Sequence, residues 1–187
     1  MERYRFVRYD HRKHLDVLFG IMTSPKEQPM FLMHSVSNSL KDFDSWIQDR
    51  LKYNYNEFFV VEDTSDNMIG IVYSYDHRMT DGHCKITVYI VPKLRHSGIG
   101  GIISLDFIGF LFKNYPYRRI NCEVYSYNLE SLNSLIQAGF EKTGVIREYR
   151  YYNGLFHDLV ILTISRDHYT DKWAATFAPE LIATKPD

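Results

Sequence analysis

The chain has 187 residues, a formal net charge of -1 and a sequence pI of about 6.7. That length suits one domain with a real core. The near-neutral balance, with no cluster of Lys and Arg, argues against nucleic acid as the main partner, and no run reaches transmembrane length. Met1-Glu2-Arg3-Tyr4-Arg5 lacks an apolar leader region, so the expectation is a soluble cytoplasmic protein. Cys84 and Cys122 fall within strand-like runs and read as buried thiols in a reducing compartment, with no metal-binding pattern around them.

In chain order, Tyr4 to Arg8 alternates apolar and charged residues and reads as a half-exposed strand. Asp10 is placed to cap a helix carrying Leu15, Leu18 and Phe19 on one face. Thr23 to Ser37 is irregular, since Pro25 and Pro29 oppose a regular helix, and long ordered loops of this kind are often functional. Ser39 to Asp42 resembles a capping box. The helix after it spaces Phe43, Trp46, Ile47 and Leu51 as a core-facing stripe. Glu57 to Glu62 and Met68 to Tyr75 read as a hairpin around the turn residues Asp63 to Asn67. His77 to His83 reads as a polar loop, and Cys84 to Val91 as the next strand.

A glycine-rich turn follows, Val91-Pro92-Lys93-Leu94-Arg95-His96-Ser97-Gly98-Ile99-Gly100-Gly101, and then a helix from Gly100 to Lys113. That helix is apolar nearly all round, which only a helix covered on most sides tolerates. A strand, a tight glycine loop and a helix leave several backbone N–H groups aimed at one point, where the helix dipole adds its positive end, so the turn is suited to phosphate. Gly98 and Gly100 permit positive φ and close approach of a ligand, and Arg95 supplies charge. Walker A is excluded because Ile102 follows Gly101. A dinucleotide fingerprint is disfavoured because Ile103 stands where its third glycine belongs. Arg119 to Tyr125 is a strand with Asn121, Glu123 and Tyr125 on one face, and the unit from Cys84 to Tyr125 should be a right-handed parallel crossover. A helix starts at Asn128. Two strands, about 142–152 and 155–164, close the pattern through an Asn153-Gly154 hairpin turn. Trp173 and Phe177 suggest that the remaining tail docks.

Arg95-x-x-Gly98-x-Gly100, Asn128 to Gly139-Phe140, and the segment from Gly144 to Asp158 together resemble the GNAT superfamily of N-acetyltransferases. The last segment is similar to the branch that acetylates ribosomal-protein N-termini, polyamines and amino sugars. The resemblance implies an α/β (mixed) fold with about seven strands, a splayed parallel pair and about four helices. It places the domain at residues 1–169 and a tail at 170–187. The cofactor it implies is acetyl-CoA. Tyr89, Ile90 and Val91 would pair with the pantetheine arm, and Arg95, His96, Ser97, Gly98, Ile99, Gly100 and Gly101 would hold the diphosphate. Asn128 and Ser131 would meet the arm, and the thioester would arrive near Thr87 and Val88.

The implied reaction is attack by a neutral amine on the thioester, which calls for a base and an acid. Glu123 is the candidate base, with Asp81 and His83 behind it. Ser131 is the candidate acid, and Tyr125 and Tyr127 are substitutes. Many family members place a tyrosine acid where this chain has Leu135. That departure supports the alternative of a non-catalytic acyl-CoA sensor or assembly protein. The acceptor is expected to be a small-molecule amine or a protein N-terminus, and a homodimer is possible on the family pattern.

Overall fold

In the computed structural model, residues 4–30 and 37–176 are described. Seven strands form one mixed sheet: β1 Tyr4–Arg8, β2 Tyr55–Asp63, β3 Met68–Arg78, β4 His83–Ile90, β5 Arg119–Tyr125, β6 Glu141–Tyr152 and β7 Leu155–Ser165. Their order is β1-β2-β3-β4-β5-β7-β6. Neighbours run antiparallel except β4 and β5. The helices are α1 His11–Met22, α2 Leu40–Asp49, α3 Ile99–Asn114, α4 Leu129–Gln137 and α5 Arg166–Lys172.

Local chemistry explains most boundaries. Asp10 caps α1 through Arg12 N–H, and Ser39 accepts from Asp42 N–H at the head of α2. Asn153 and Gly154 both take positive φ, which matches the twist of the flanking strands in a two-residue hairpin turn. The helix α4 ends at Ala138 with Gly139 in the left-handed region. Gly139 N–H bonds to Ile136 O and Phe140 N–H to Leu135 O, a Schellman arrangement that satisfies the last carbonyls.

Two apolar layers sandwich the sheet. On one face, α1 and α2 bury Leu18, Met22, Phe43 and Ile47 against Phe58, Val60, Ile71 and Tyr73. On the other, every residue of α3 from Ile103 to Phe112 is buried. Its polar members are satisfied locally: Ser104 Oγ donates to Gly100 O at 2.7 Å, and Asp106 accepts from the Tyr4 hydroxyl. Trp46 is half-buried and packs on the α1–α2 layer, while Leu51 lies in a π-helical turn, Arg50–Asn54, rather than on the α2 stripe.

Two expectations are refined. The strand β3 runs on to Arg78 and β4 starts at His83, so the expected polar loop shrinks to the turn at 79–82. Five α-helices lie among the described residues, in keeping with the expected count of about four, the last being the segment after β7. Arg166 turns that segment back onto the core. It donates to Tyr117 O, Phe112 O and Tyr115 O at 2.7, 2.5 and 2.7 Å, gathering the carbonyls at the end of α3. Trp173 Nε1 then donates to Ala138 O at 2.9 Å. The expected docking of Trp173 is therefore observed, whereas Phe177 lies outside the described residues.

A buried ionic cluster carries a pH prediction. Glu62 is 1% exposed and takes Lys13 Nζ at 2.5 Å, Arg5 Nη2 at 2.8 Å and His14 Nε2 at 3.0 Å. Burial alone would raise its pKa, but bonds from Lys13, Arg5 and His14 outweigh that and hold it at about 2, below its ordinary 4.5. A depressed carboxylate contributes stability that is complete above its unfolded value and is lost as pH falls toward its folded one. Glu62→Gln should therefore melt below wild type at neutral pH, with the gap narrowing between about pH 4.5 and pH 2. Thermal melts across that range check it; a gap independent of pH would show that the ion cluster contributes nothing through its charge.

Candidate active site

The site forms because two parallel neighbours part. The strands β4 and β5 pair only from His83–Arg119 to Lys85–Asn121. From Ile86 onward β4 has no strand on that side, while β5 continues along β7 as far as Tyr125. The gap opens into a cleft of about 780 Å³, lined by β4, the glycine turn, the start of α3, the end of β5 and α4.

Period-two alternation decides which amides of β4 face it. Val91 N–H donates to Ile69 O at 3.0 Å, and the β3–β4 register runs unbroken from Gly70–Ile90 to Tyr75–Lys85. The N–H groups of Tyr89 and Thr87 therefore turn toward β3, as Val91 does, and those of Ile90 and Val88 turn toward the cleft. Arg95 Nε reaches Ile90 O at 3.2 Å from the open side, which agrees with that assignment. Of the three residues expected to pair with the arm, Ile90 has the right amide direction and Val91 does not. The Tyr89 amide also faces β3, although the residue lines the cleft, and Val88 is the other β4 residue whose N–H turns toward it.

The turn narrows in the same way. Gly98 caps α3 at φ 83° and has no atom within 4 Å of where a Cβ would stand. The N–H groups of His96, Ser97, Gly98 and Gly100 make no hydrogen bond with the described residues, and His96, Gly98, Gly100 and Gly101 line the cleft. By contrast, Ile99 N–H donates to Ser97 Oγ at 3.3 Å, Ser97 Oγ donates to Leu94 O at 2.7 Å, and Gly101 N–H donates to Gly98 O at 3.2 Å. Those groups shape the loop. Open amides at a helix start, beside a left-handed glycine with room in front of it, fit a diphosphate. A bare β-edge running from that point fits an amide-bearing arm.

On α4, Asn128 Oδ1 caps the helix by accepting from Ser131 N–H at 3.2 Å, which leaves its Nδ2 for the cleft. Ser131, Ser134 and Leu135 line the same wall. Tyr127, next to Asn128, also lines the cleft and lies within an aromatic group. Its ring is 4.7 Å from Tyr152, 4.9 Å from His157 and 5.3 Å from Tyr125. Burial pushes the Tyr127 hydroxyl up to about 12, against the opposing charge of Arg150, and the hydroxyl donates to Pro29 O at 2.5 Å. Tyr125 is bonded by Arg150 at 2.9 Å.

Glu123 does line the cleft, but it is ion-paired with Lys85 Nζ at 2.8 Å; Lys85 also reaches Asp76 Oδ2 at 3.3 Å. Burial alone would lower the pKa of Lys85, and Glu123 with Asp76 raises it instead. Any proton that Glu123 accepts must therefore arrive beside a held cation. Asp81 lies away from the cleft, on a separate cavity with Arg118 and Arg119. Sequence reasoning missed Glu27, Pro29, Lys85 and Arg150, because each reaches the site through a contact between distant segments. Residues 31–36, part of the expected acceptor wall, lie outside the described residues.

Comparison with known proteins agrees with this geometry. The chain is similar to a SPbeta prophage-derived uncharacterized N-acetyltransferase, YokL, of Bacillus subtilis (strain 168), 23% identical over 131 residues that span 70% of this chain and 73% of the relative. Among solved structures it resembles a spermidine N-acetyltransferase from Vibrio cholerae in complex with CoA and spermine, at 17% identity and TM-score 0.77, covering 90% of this chain and 97% of that one. A dodecameric structure of the Vibrio cholerae enzyme matches at 17% identity and TM-score 0.75, covering 91% and 97%. The family model for the acetyltransferase (GNAT) domain matches residues 11–161. With the splayed strands, the open β4 edge and the glycine turn all inside that span, the chain belongs to the GNAT acetyltransferase family and is an acetyl-CoA-dependent N-acetyltransferase.

Proposed function

We propose that this enzyme acetylates a primary amine on a small molecule, within the branch that includes polyamine and amino-sugar acetyltransferases. The observation that carries it is the cleft between β4 and β5, with donors at one end and an aromatic wall at the other. When bound, acetyl-CoA supplies an activated acyl group on sulfur. Val88 N–H, turned toward the cleft, would hold the thioester carbonyl oxygen and stabilise the negative charge that develops there. Ile90 N–H and Asn128 Nδ2 would orient the arm, and His96, Ser97, Gly98 and Gly100 N–H the diphosphate. The amine must be neutral to attack. Glu123, through its pair with Lys85, is the candidate group for receiving its proton, and Ser131 is the candidate donor to the leaving thiolate. Tyr127 is better read as a wall residue, because its proton is committed to Pro29 O.

We take the domain to span residues 1–169 with a tail from 170, the start of which continues α5 to Lys172 and bonds back through Trp173. For self-association, Tyr151, Leu155 and Phe156 on the outer hairpin are each 64% exposed and supply apolar surface. A cytoplasmic setting is favoured by the free, buried Cys84 and Cys122. No helix of the described residues is long and apolar enough to cross a membrane.

Purified protein should release CoA thiol from acetyl-CoA when offered a panel of polyamines, amino sugars and peptide N-termini, with turnover concentrated in the first two. Ser131→Ala should lower kcat about a hundredfold if it is the acid. Turnover only on peptides would move the acceptor class. Leu135 on the α4 wall favours a second function, acyl-CoA sensing without turnover. Calorimetric CoA binding with no thiol release from any amine would select it.

A further inference from the structure

The guanidinium of Arg95 is already engaged. Its Nε donates to Ile90 O at 3.2 Å, its Nη2 is ion-paired with Glu27, and its central carbon stands 5.5 Å from the centre of the Tyr89 ring. The pair is well sheltered, with side-chain exposures of 25% for Arg95 and 12% for Glu27. Both contacts fall on positions a cofactor needs. Ile90 O lies on the open edge of β4, and Arg95 is the cation of the glycine turn. A guanidinium nitrogen donating to a carboxylate cannot present the same proton to a phosphate, and a sheltered carboxylate near a diphosphate repels it.

Glu27 is also mechanically connected. It precedes the short 3₁₀ turn Gln28–Met30, in which Pro29 O accepts from the Tyr127 hydroxyl and Met30 lines the cleft. The segment is thus tied to the cofactor side by Glu27 and to the aromatic wall by Pro29. We propose that Glu27 sets cofactor affinity by competing with the diphosphate for Arg95, so that binding draws Arg95 away from Glu27 and from the β4 edge. This rests on the proposed function, since it takes the turn to be the diphosphate site. Glu27 is a positioning residue here: it acts through Arg95.

Calorimetry with two probes tests it. CoA carries the diphosphate, and pantetheine carries the arm alone. Glu27→Gln should bind CoA about tenfold tighter than wild type, a change equivalent to one charge-assisted contact, while pantetheine affinity stays as in wild type. Adding Arg95→Ala should erase the gain. CoA affinity in Glu27→Gln equal to or weaker than wild type overturns the inference, as does an equal gain for pantetheine. Glu27→Ala provides a second variant; if both variants lose the fold by thermal melt, the pair is structural and the inference falls. A wild-type protein that binds neither probe overturns the proposed function and this inference together, whereas wild-type binding of CoA without a gain in Glu27→Gln overturns the inference alone.

Discussion

Gly98→Val should abolish measurable cofactor binding while leaving a folded protein. The backbone there has φ 83°, and the space where a Cβ would go is open for 4 Å. The added side chain therefore meets no protein atom close by and projects into the region the diphosphate needs. Two effects follow, and they can be separated. The left-handed conformation costs an ordinary residue about 1–2 kcal/mol, which for a chain of this size lowers Tm by a few degrees, roughly 2–4 °C per kcal/mol. Loss of two charge-assisted contacts from backbone N–H to phosphate is larger, about 3–6 kcal/mol, or more than a hundredfold in CoA affinity. Calorimetry with CoA and a thermal melt read the two separately. A variant that folds and binds CoA as wild type does would remove the turn from the site. Gly100→Val is less clean, because its Cβ would stand 3.3 Å from Ile90 Cγ1 and so disturb the helix–strand packing as well.

The second large effect is expected from Val88→Pro. Val88 pairs with Val72 at a position where, by alternation from the Val91–Ile69 bond, the amide points into the cleft. Proline removes that donor without breaking a β3–β4 hydrogen bond, and strand proline is tolerated where the N–H faces away from the ladder. Losing one oxyanion donor costs about a hundred- to a thousandfold in kcat. CoA affinity should change far less, since Ile90 and the turn are untouched. Tyr89→Pro is the matched control: its amide faces β3, so the same substitution one residue on should damage the sheet and lower Tm sharply. Stopped-flow or steady-state thiol release gives kcat, and melts report the fold. If Val88→Pro keeps wild-type kcat, the thioester is polarised by some other group.

These two variants also show where sequence reading succeeds and where it stops. The strand–glycine turn–helix unit is contiguous, and its key residue, Gly98, is selected by its own backbone conformation. The end of α4 is similar: Gly139 and Phe140 stand together because a Schellman cap needs a left-handed residue followed by an N–H that reaches back to Leu135 O. Such features are local, so a linear pattern carries them. The amide direction at Val88 is different. It depends on which residues of β4 exchange hydrogen bonds with β3, and a shift of one position would reverse it. The amide of Val91, expected at the arm, faces β3 for that reason.

Side-chain pairings were less legible still. Glu27 meets Arg95 across 68 residues, and Tyr127 meets Pro29 across 98. Glu123 stood out as a carboxylate on a parting strand, yet its character is set by Lys85 on the neighbouring strand, which nothing near Glu123 announces. By itself, then, the sequence determined the class of fold, the order of its elements, the phosphate-suited turn and the family, because propensity, capping and glycine conformation act over a few residues. Only the tertiary structure decided which amides face the cleft, which charges are already neutralised and that the segment after β7 folds back through Arg166. Each of those is a question of register or of contact between distant segments, and packing of the whole sheet answers it.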